Sequence, residues 1–232
     1  MKKINIAIFM FILPLTAAKA IEGVNIGISV MGGVFEANGA KEMFKGAHAG
    51  GASPGDVTKS TATDGDTAKG DFVLGSLFIE KTIGDKFAIG FDYVPMSAET
   101  ETTENIQADM TTSNTSTSRT NTVQVDFEDL MTIYGTLSFT DNVYAKIGYS
   151  EVDAVTNEKL ATGGSYGNAT LEGYVIGLGY NRDLDSGTFV RVEANYMDFD
   201  GATLTNTADS TKSVSADGFD GYGARISVGK SF

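Results

Sequence analysis

Cysteine and tryptophan are absent from this chain, histidine occurs once and proline three times, and basic residues are outnumbered by acidic ones, 17 to 30. Each shortage closes a class of function. With no cysteine there is no disulfide staple, no thiolate metal ligand and no thiol nucleophile. The lone histidine, His48 in Gly46-Ala-His-Ala-Gly50, cannot build a multi-histidine metal centre. As a general base it needs a nucleophile beside it and a group to orient it. Its glycine-rich surroundings supply neither, so it reads as an ordinary loop residue. A formal net charge of −13 repels phosphate backbones and excludes nucleic acid as a partner. Beyond residue 20 no apolar run approaches the ~20 residues of a membrane-crossing helix, so only strands could carry this chain through a bilayer.

The one long apolar run stands at the start. Lys2 and Lys3 precede Ile4 to Ala18, and the small-residue site Ala18-Lys19-Ala20 follows. This is the layout of a secretory signal peptide cleaved after Ala20, and the run, interrupted by Asn5 and Pro14, is too short for an anchor. Removing residues 1–20 takes away Lys2, Lys3 and Lys19 and no acid, moving the net charge from −13 to −16. Residues 21–232 have no linker or composition break and read as one domain.

What fills that domain is period-two alternation. Strands are expected at about Val24–Phe35, Asp71–Lys81, Phe87–Pro95, Val123–Phe139, Val143–Ser150, Gly173–Tyr180, Val190–Tyr196 and Tyr222–Phe232. In most of them one face is Val, Ile, Phe and Tyr while the other mixes Gly, Ser and charge. Ile147 and Tyr149, for instance, alternate with Lys146, Gly148 and Ser150. The second strand is ambiguous in phase, since Phe72, Val73, Leu74, Leu77, Phe78 and Ile79 serve both faces; Val73, Leu77 and Ile79 are taken as outward, turning Ser76 and Glu80 in. The connections alternate between long (36–70, 97–122, 153–168, 200–217) and short (82–86, 140–142, 181–187), and the Thr/Ser-rich 97–122 reads as a mobile loop.

A face that is apolar without interruption, opposite one carrying charge, suits a closed sheet with lipid outside and a packed lumen within. The expected fold is an all-β, closed, antiparallel up-and-down transmembrane barrel of eight strands. Long loops would be extracellular, and both termini would lie with the short turns on the periplasmic side. A barrel of that size has room only for side chains. Glu80, Asp92, Glu128, Lys146, Arg191, Glu193 and Arg225 are therefore expected to face inward and pair as a lumen charge network. Tyr93, Tyr149, Tyr180, Tyr196 and Phe232 fall near strand ends, where interfacial aromatic girdles lie. Asp64, Asp66, Asp198, Asp200 and Asp209 lack the spacing of a calcium loop and read as solvated rim charge. No metal or other cofactor is implied.

The C-terminal stretch Tyr222-Gly-Ala-Arg-Ile-Ser-Val-Gly-Lys-Ser-Phe232, with Ala145-Lys-Ile-Gly-Tyr149 and Gly173-Tyr-Val-Ile-Gly-Leu-Gly-Tyr180, resembles the small eight-stranded outer-membrane barrels related to the OmpA transmembrane domain and OmpX. The resemblance covers most of residues 21–232 at the level of pattern, and Lys230 departs from it. It implies the outer membrane of a Gram-negative bacterium, contact with outer-membrane lipids and lipopolysaccharide, and a terminal Phe232 read by the barrel-assembly machinery. It brings no catalytic residues. The function expected is non-catalytic, structural or surface-interacting, with acidic loops displayed outside the cell. A narrow, porin-like ion pore is the alternative. A soluble lipocalin-like binder is the second, and it requires the Val/Ile/Phe faces to point inward.

Overall fold

The computed structural model describes residues 22–37, 41–44, 68–100, 102–110, 116–161 and 163–232; the leader, its cleavage site, His48 and Asp64-Gly-Asp66 lie outside the described residues. The elements are β1 Val24–Ala37, β2 Lys41–Phe44, β3 Ala68–Ile83, β4 Phe87–Val94, β5 Ala98–Glu99, β6 Thr103–Met110, β7 Ser116–Ser138, β8 Val143–Leu160, β9 Ala169–Asp183, β10 Thr188–Phe199, β11 Ala202–Thr205, β12 Lys212–Ala216 and β13 Phe219–Ser231. A single 3₁₀ turn, Asp185–Gly187, precedes β10. Among the described residues no helix is long and apolar enough to cross a membrane.

Eight strands form a closed antiparallel ring in the order β4-β3-β1-β13-β10-β9-β8-β7, with β4 paired back onto β7. The two ends of the chain meet in it: Gly23 N–H donates to the Phe232 carbonyl at 2.7 Å, and Phe232 N–H to the Val24 carbonyl at 2.9 Å. The stagger can be followed residue by residue. Gly27 pairs with Phe78, Phe78 with Asp92, Asp92 with Thr132 and Thr132 with Ser150. Ser150 then pairs with Gly173, Gly173 with Phe199, Phe199 with Phe219, and Phe219 with Ala37. One circuit thus returns to β1 ten residues on, from 27 to 37. With ~3.3 Å per residue and ~4.8 Å between strands, that stagger over eight strands tilts them about 40° from the barrel axis.

Beyond the tyrosine-rich ends of the strands the wall continues further than alternation alone suggested. β7 has 23 residues and β8 has 18, so much of 116–122 and 153–160 is ladder rather than loop. The expected loop 97–122 is corrected in the same way: β6 and the start of β7 pair from Thr103–Val123 to Met110–Ser116. Threonine-rich sequence has high strand propensity, and a hairpin that grows out of an existing strand needs no buried face of its own to begin. The other long connections are tied together. β12 pairs with both β11 and β2 in a small second sheet, Ser165 N–H donates to the Thr207 hydroxyl at 3.0 Å, and the Tyr166 hydroxyl donates to Glu42. Burial and the Glu42 carboxylate hold that hydroxyl well above the usual tyrosine range.

Candidate functional site: the lumen and the banded wall

Up to the level of the tyrosines, the side chains that alternation placed outward are outward; above it Val123, Val125 and Phe127 of β7, expected on the same outward parity, turn in. Ile28, Val30, Leu77, Ile79, Ile89, Ile133, Ile147, Ile176, Leu178, Val192 and Ile226 stand exposed around the barrel, Ile147 at 65%. This overturns the lipocalin-like alternative, which needs those residues to line a ligand cavity. The exposed band runs from the level of Ile83 and Phe139 to that of Tyr93, Tyr149, Tyr174, Tyr196 and Tyr222. At the tilt given above this is roughly 20 Å, near the ~25 Å apolar height of outer-membrane barrels.

Inside the band the lumen is polar and filled. Arg225 grips Asp92 with two N–H groups, at 2.7 and 3.3 Å, and Asp92 also accepts from the Ser76 hydroxyl at 2.8 Å. Lys146 donates to Glu193 at 3.2 Å, and Arg191 donates to Glu80. Glu80 in turn accepts the Tyr134 hydroxyl at 3.0 Å. Arg191 also stacks on the Phe189 ring, 4.5 Å from its centroid, closing the tier on the side of the termini. Six of the seven expected lumen charges are thus gathered as three cation–anion pairs. The space left among them is about 10 Å³, room for one water molecule at most. Glycine makes this packing possible. A Cβ on Gly90 would lie 2.4 Å from the Tyr134 ring, and one on Gly179 2.2 Å from that of Tyr144.

Above the polar tier, toward the long loops, every lumen-facing row turns apolar. On β1 Ser29 gives way to Met31, on β3 Ser76 to Leu74 and Phe72, and on β4 Asp92 to Val94. On β8 Ser150 gives way to Val152, on β9 Gly177 to Val175, and on β10 Asn195 to Met197 and Phe199. These residues form one buried cluster, against which Phe35, Phe127, Leu130, Leu171 and Phe219 pack. Phe199 stacks on Phe219 at 4.6 Å between centroids, and Phe127 lies 5.2 Å from Phe219. At the seam between the tiers the Asn195 amide has no partner on either atom among the described residues.

Glu128 is the seventh expected lumen residue, and it is exposed on the outer wall. The cause is a β-bulge between Glu128 and Met131, where Asp129 takes a left-handed φ of 53° and two residues oppose Val152 alone. Below the bulge even-numbered residues of β7 face in; above it odd ones do, so Phe127 enters the apolar tier and Glu128 leaves.

The outer wall reverses at the same level. Immediately beyond the tyrosines, carboxylates oppose each other across adjacent strands: Glu128 with Asp153, Glu151 with Glu172, and Asp198 with Asp220. Two tyrosine hydroxyls bind into this belt, Tyr93 to Asp129 and Tyr196 to Asp220, each at 2.6 Å. The barrel is therefore apolar outside and polar inside below the tyrosines, and the opposite above them. Like charges directly opposite in a ladder are destabilising. Glu151→Gln should accordingly raise stability, by about 0.5 kcal/mol, in an equilibrium urea titration of the folded barrel.

No protein-family model and no curated protein sequence matches the chain. Solved structures do. The chain is similar in architecture to bacterial outer-membrane barrels. The outer-membrane protein AlkL, determined in lipid bilayers, is 14% identical, with 94% of each chain covered and a TM-score of 0.45. OprG of Pseudomonas aeruginosa is 12% identical over 89% of this chain and 96% of its own, with a TM-score of 0.42. Ail, the attachment invasion locus protein of Yersinia pestis, is 11% identical over 88% and 99%, with a TM-score of 0.38.

Proposed function

We propose that this chain is a non-catalytic barrel of a bacterial outer membrane, with a structural or surface-interaction role carried by the acidic, knitted-together end that holds the long loops. The observation that carries the reading is the reversal at the tyrosines. A wall that is apolar outside over roughly 20 Å and then carboxylate-lined suits a bilayer that ends at that level. Long loops then face the exterior, and both termini and the short turns face the periplasm. The partners follow from that placement: outer-membrane lipid and lipopolysaccharide around the band, and the assembly machinery at Phe232 during insertion. Beyond the surface, the acidic rim favours a cationic partner over an anionic one.

A lumen filled by side chains from end to end of the band, polar below and apolar above, supports a barrel that does not conduct. In planar bilayers the refolded protein should show no steady conductance, and a folded, heat-modifiable gel band from isolated outer membranes should accompany that silence. Steady channels from the unaltered chain would favour the pore reading instead. Orientation has its own test. A Thr203→Cys variant should react in intact cells with a thiol reagent that cannot cross the outer membrane; reaction only after permeabilisation would reverse the topology.

A further inference from the structure

We infer that the apolar tier, and not the ion-paired tier beneath it, is the barrier that closes this barrel to ions. The polar tier offers a passing ion what it needs in exchange for water. It holds carboxylates and cations in equal number, with hydroxyls from Ser29, Ser76 and Tyr134 beside them. Its partners are also close enough to trade: among the described residues Arg225 Nε has no hydrogen bond, and it lies 4.0 Å from Glu193 Oε2. Such a tier can rearrange around a guest.

The tier above cannot. Met31, Leu74, Val94, Val175 and Met197 belong to one buried cluster, Met31 at 2% exposure and Val94 at 1%, and the rings of Phe35, Phe127 and Phe219 pack against it. An ion entering it would give up its water and meet no compensating charge or dipole. The lumen is thus a packed polar tier stopped by a hydrophobic septum.

This rests on the reading of a non-conducting barrel, and three refolded variants test it. In planar bilayers the double variant Met31→Ser/Met197→Ser, shown to be folded by its heat-shifted gel mobility, should conduct at least ten-fold above the background of the unaltered protein. The double variant Glu80→Ser/Arg191→Ser, which removes one complete ion pair from the lower tier, should stay silent. Conduction by the second, or silence in the folded first, would overturn the inference.

The absence of cysteine provides an independent readout that scarcely disturbs packing. Val175→Cys places a single thiol in the septum, and a small charged thiosulfonate reagent should leave it unmodified while the barrel is folded. Rapid modification of the folded protein would mean that the septum is hydrated, which also overturns the inference. Channels from the unaltered chain, by contrast, would end the non-conducting reading itself.

Discussion

Asp92→Ala should destabilise the folded barrel by about 3–5 kcal/mol, more than any other single truncation in the lumen. Asp92 is 2% exposed and accepts two guanidinium N–H groups of Arg225 and the hydroxyl of Ser76. Without it the buried guanidinium keeps only the distant Glu193, 4.0 Å from Nε. Ser76 would retain Ser29, 2.6 Å away, so the loss falls on the charge. Equilibrium unfolding in urea, with the barrel held in lipid vesicles, gives the difference. A double variant in which both Asp92 and Arg225 become apolar residues of similar volume should recover most of it, since a buried pair replaced as a unit is often neutral. A cost below about 1 kcal/mol for the single variant would mean that water reaches Arg225 freely.

The second large effect concerns the wall. Leu178 is 63% exposed near the middle of the apolar band, and Leu178→Arg should cost about 2–4 kcal/mol in the same titration. Asp198→Arg, on the neighbouring strand but beyond the tyrosines, should cost nothing measurable, and it relieves the opposition to Asp220. The same charge introduced at two heights of one wall thus has unlike consequences. Equal costs at the two positions would contradict a membrane boundary at the tyrosines.

Most of the fold was legible because its two determinants are periodic. Alternation marks which faces differ, and the alternation of long and short connections marks the up-and-down order of the strands. β8 shows how much further the sequence could be read. Its apolar residues move from odd numbers, Ile147 and Tyr149, to even ones, Val152 and Ala154, while the inward face stays on even numbers throughout. That change of parity records the crossing of the tyrosine level. It also explains why the Phe72-to-Ile79 stretch of β3 looked ambiguous: Phe72 and Leu74 serve the upper core while Leu77 and Ile79 serve the band.

β7 makes the same crossing invisibly. Val125, Phe127, Met131 and Ile133 keep one parity without a break, and nothing in that run marks the bulge. A backbone turned once at Asp129 does there what a sequence shift does in β8. Glu128 was misplaced for that reason. The septum was missed for a related one. Met31, Val94 and Val175 lie within the expected strands but on faces read for charge and glycine, and Val152 and Phe199 lie just past the expected strand ends, so no apolar cluster shows in the alternation alone.

Stacking a water-facing barrel on a lipid-facing one gives the two halves different dependences on temperature. The upper core forms by withdrawing phenylalanine, methionine and valine from water, a gain that is entropic near room temperature and weakens on cooling. The band below exchanges water for hydrocarbon only once, on insertion, and its side chains remain in an apolar medium whether or not the strands are well packed. The heat-capacity change of loosening the folded protein in place therefore belongs almost wholly to the half above the tyrosines. In the cold that half should slacken first, under its cap of tied loops, while the strands within the bilayer keep their register.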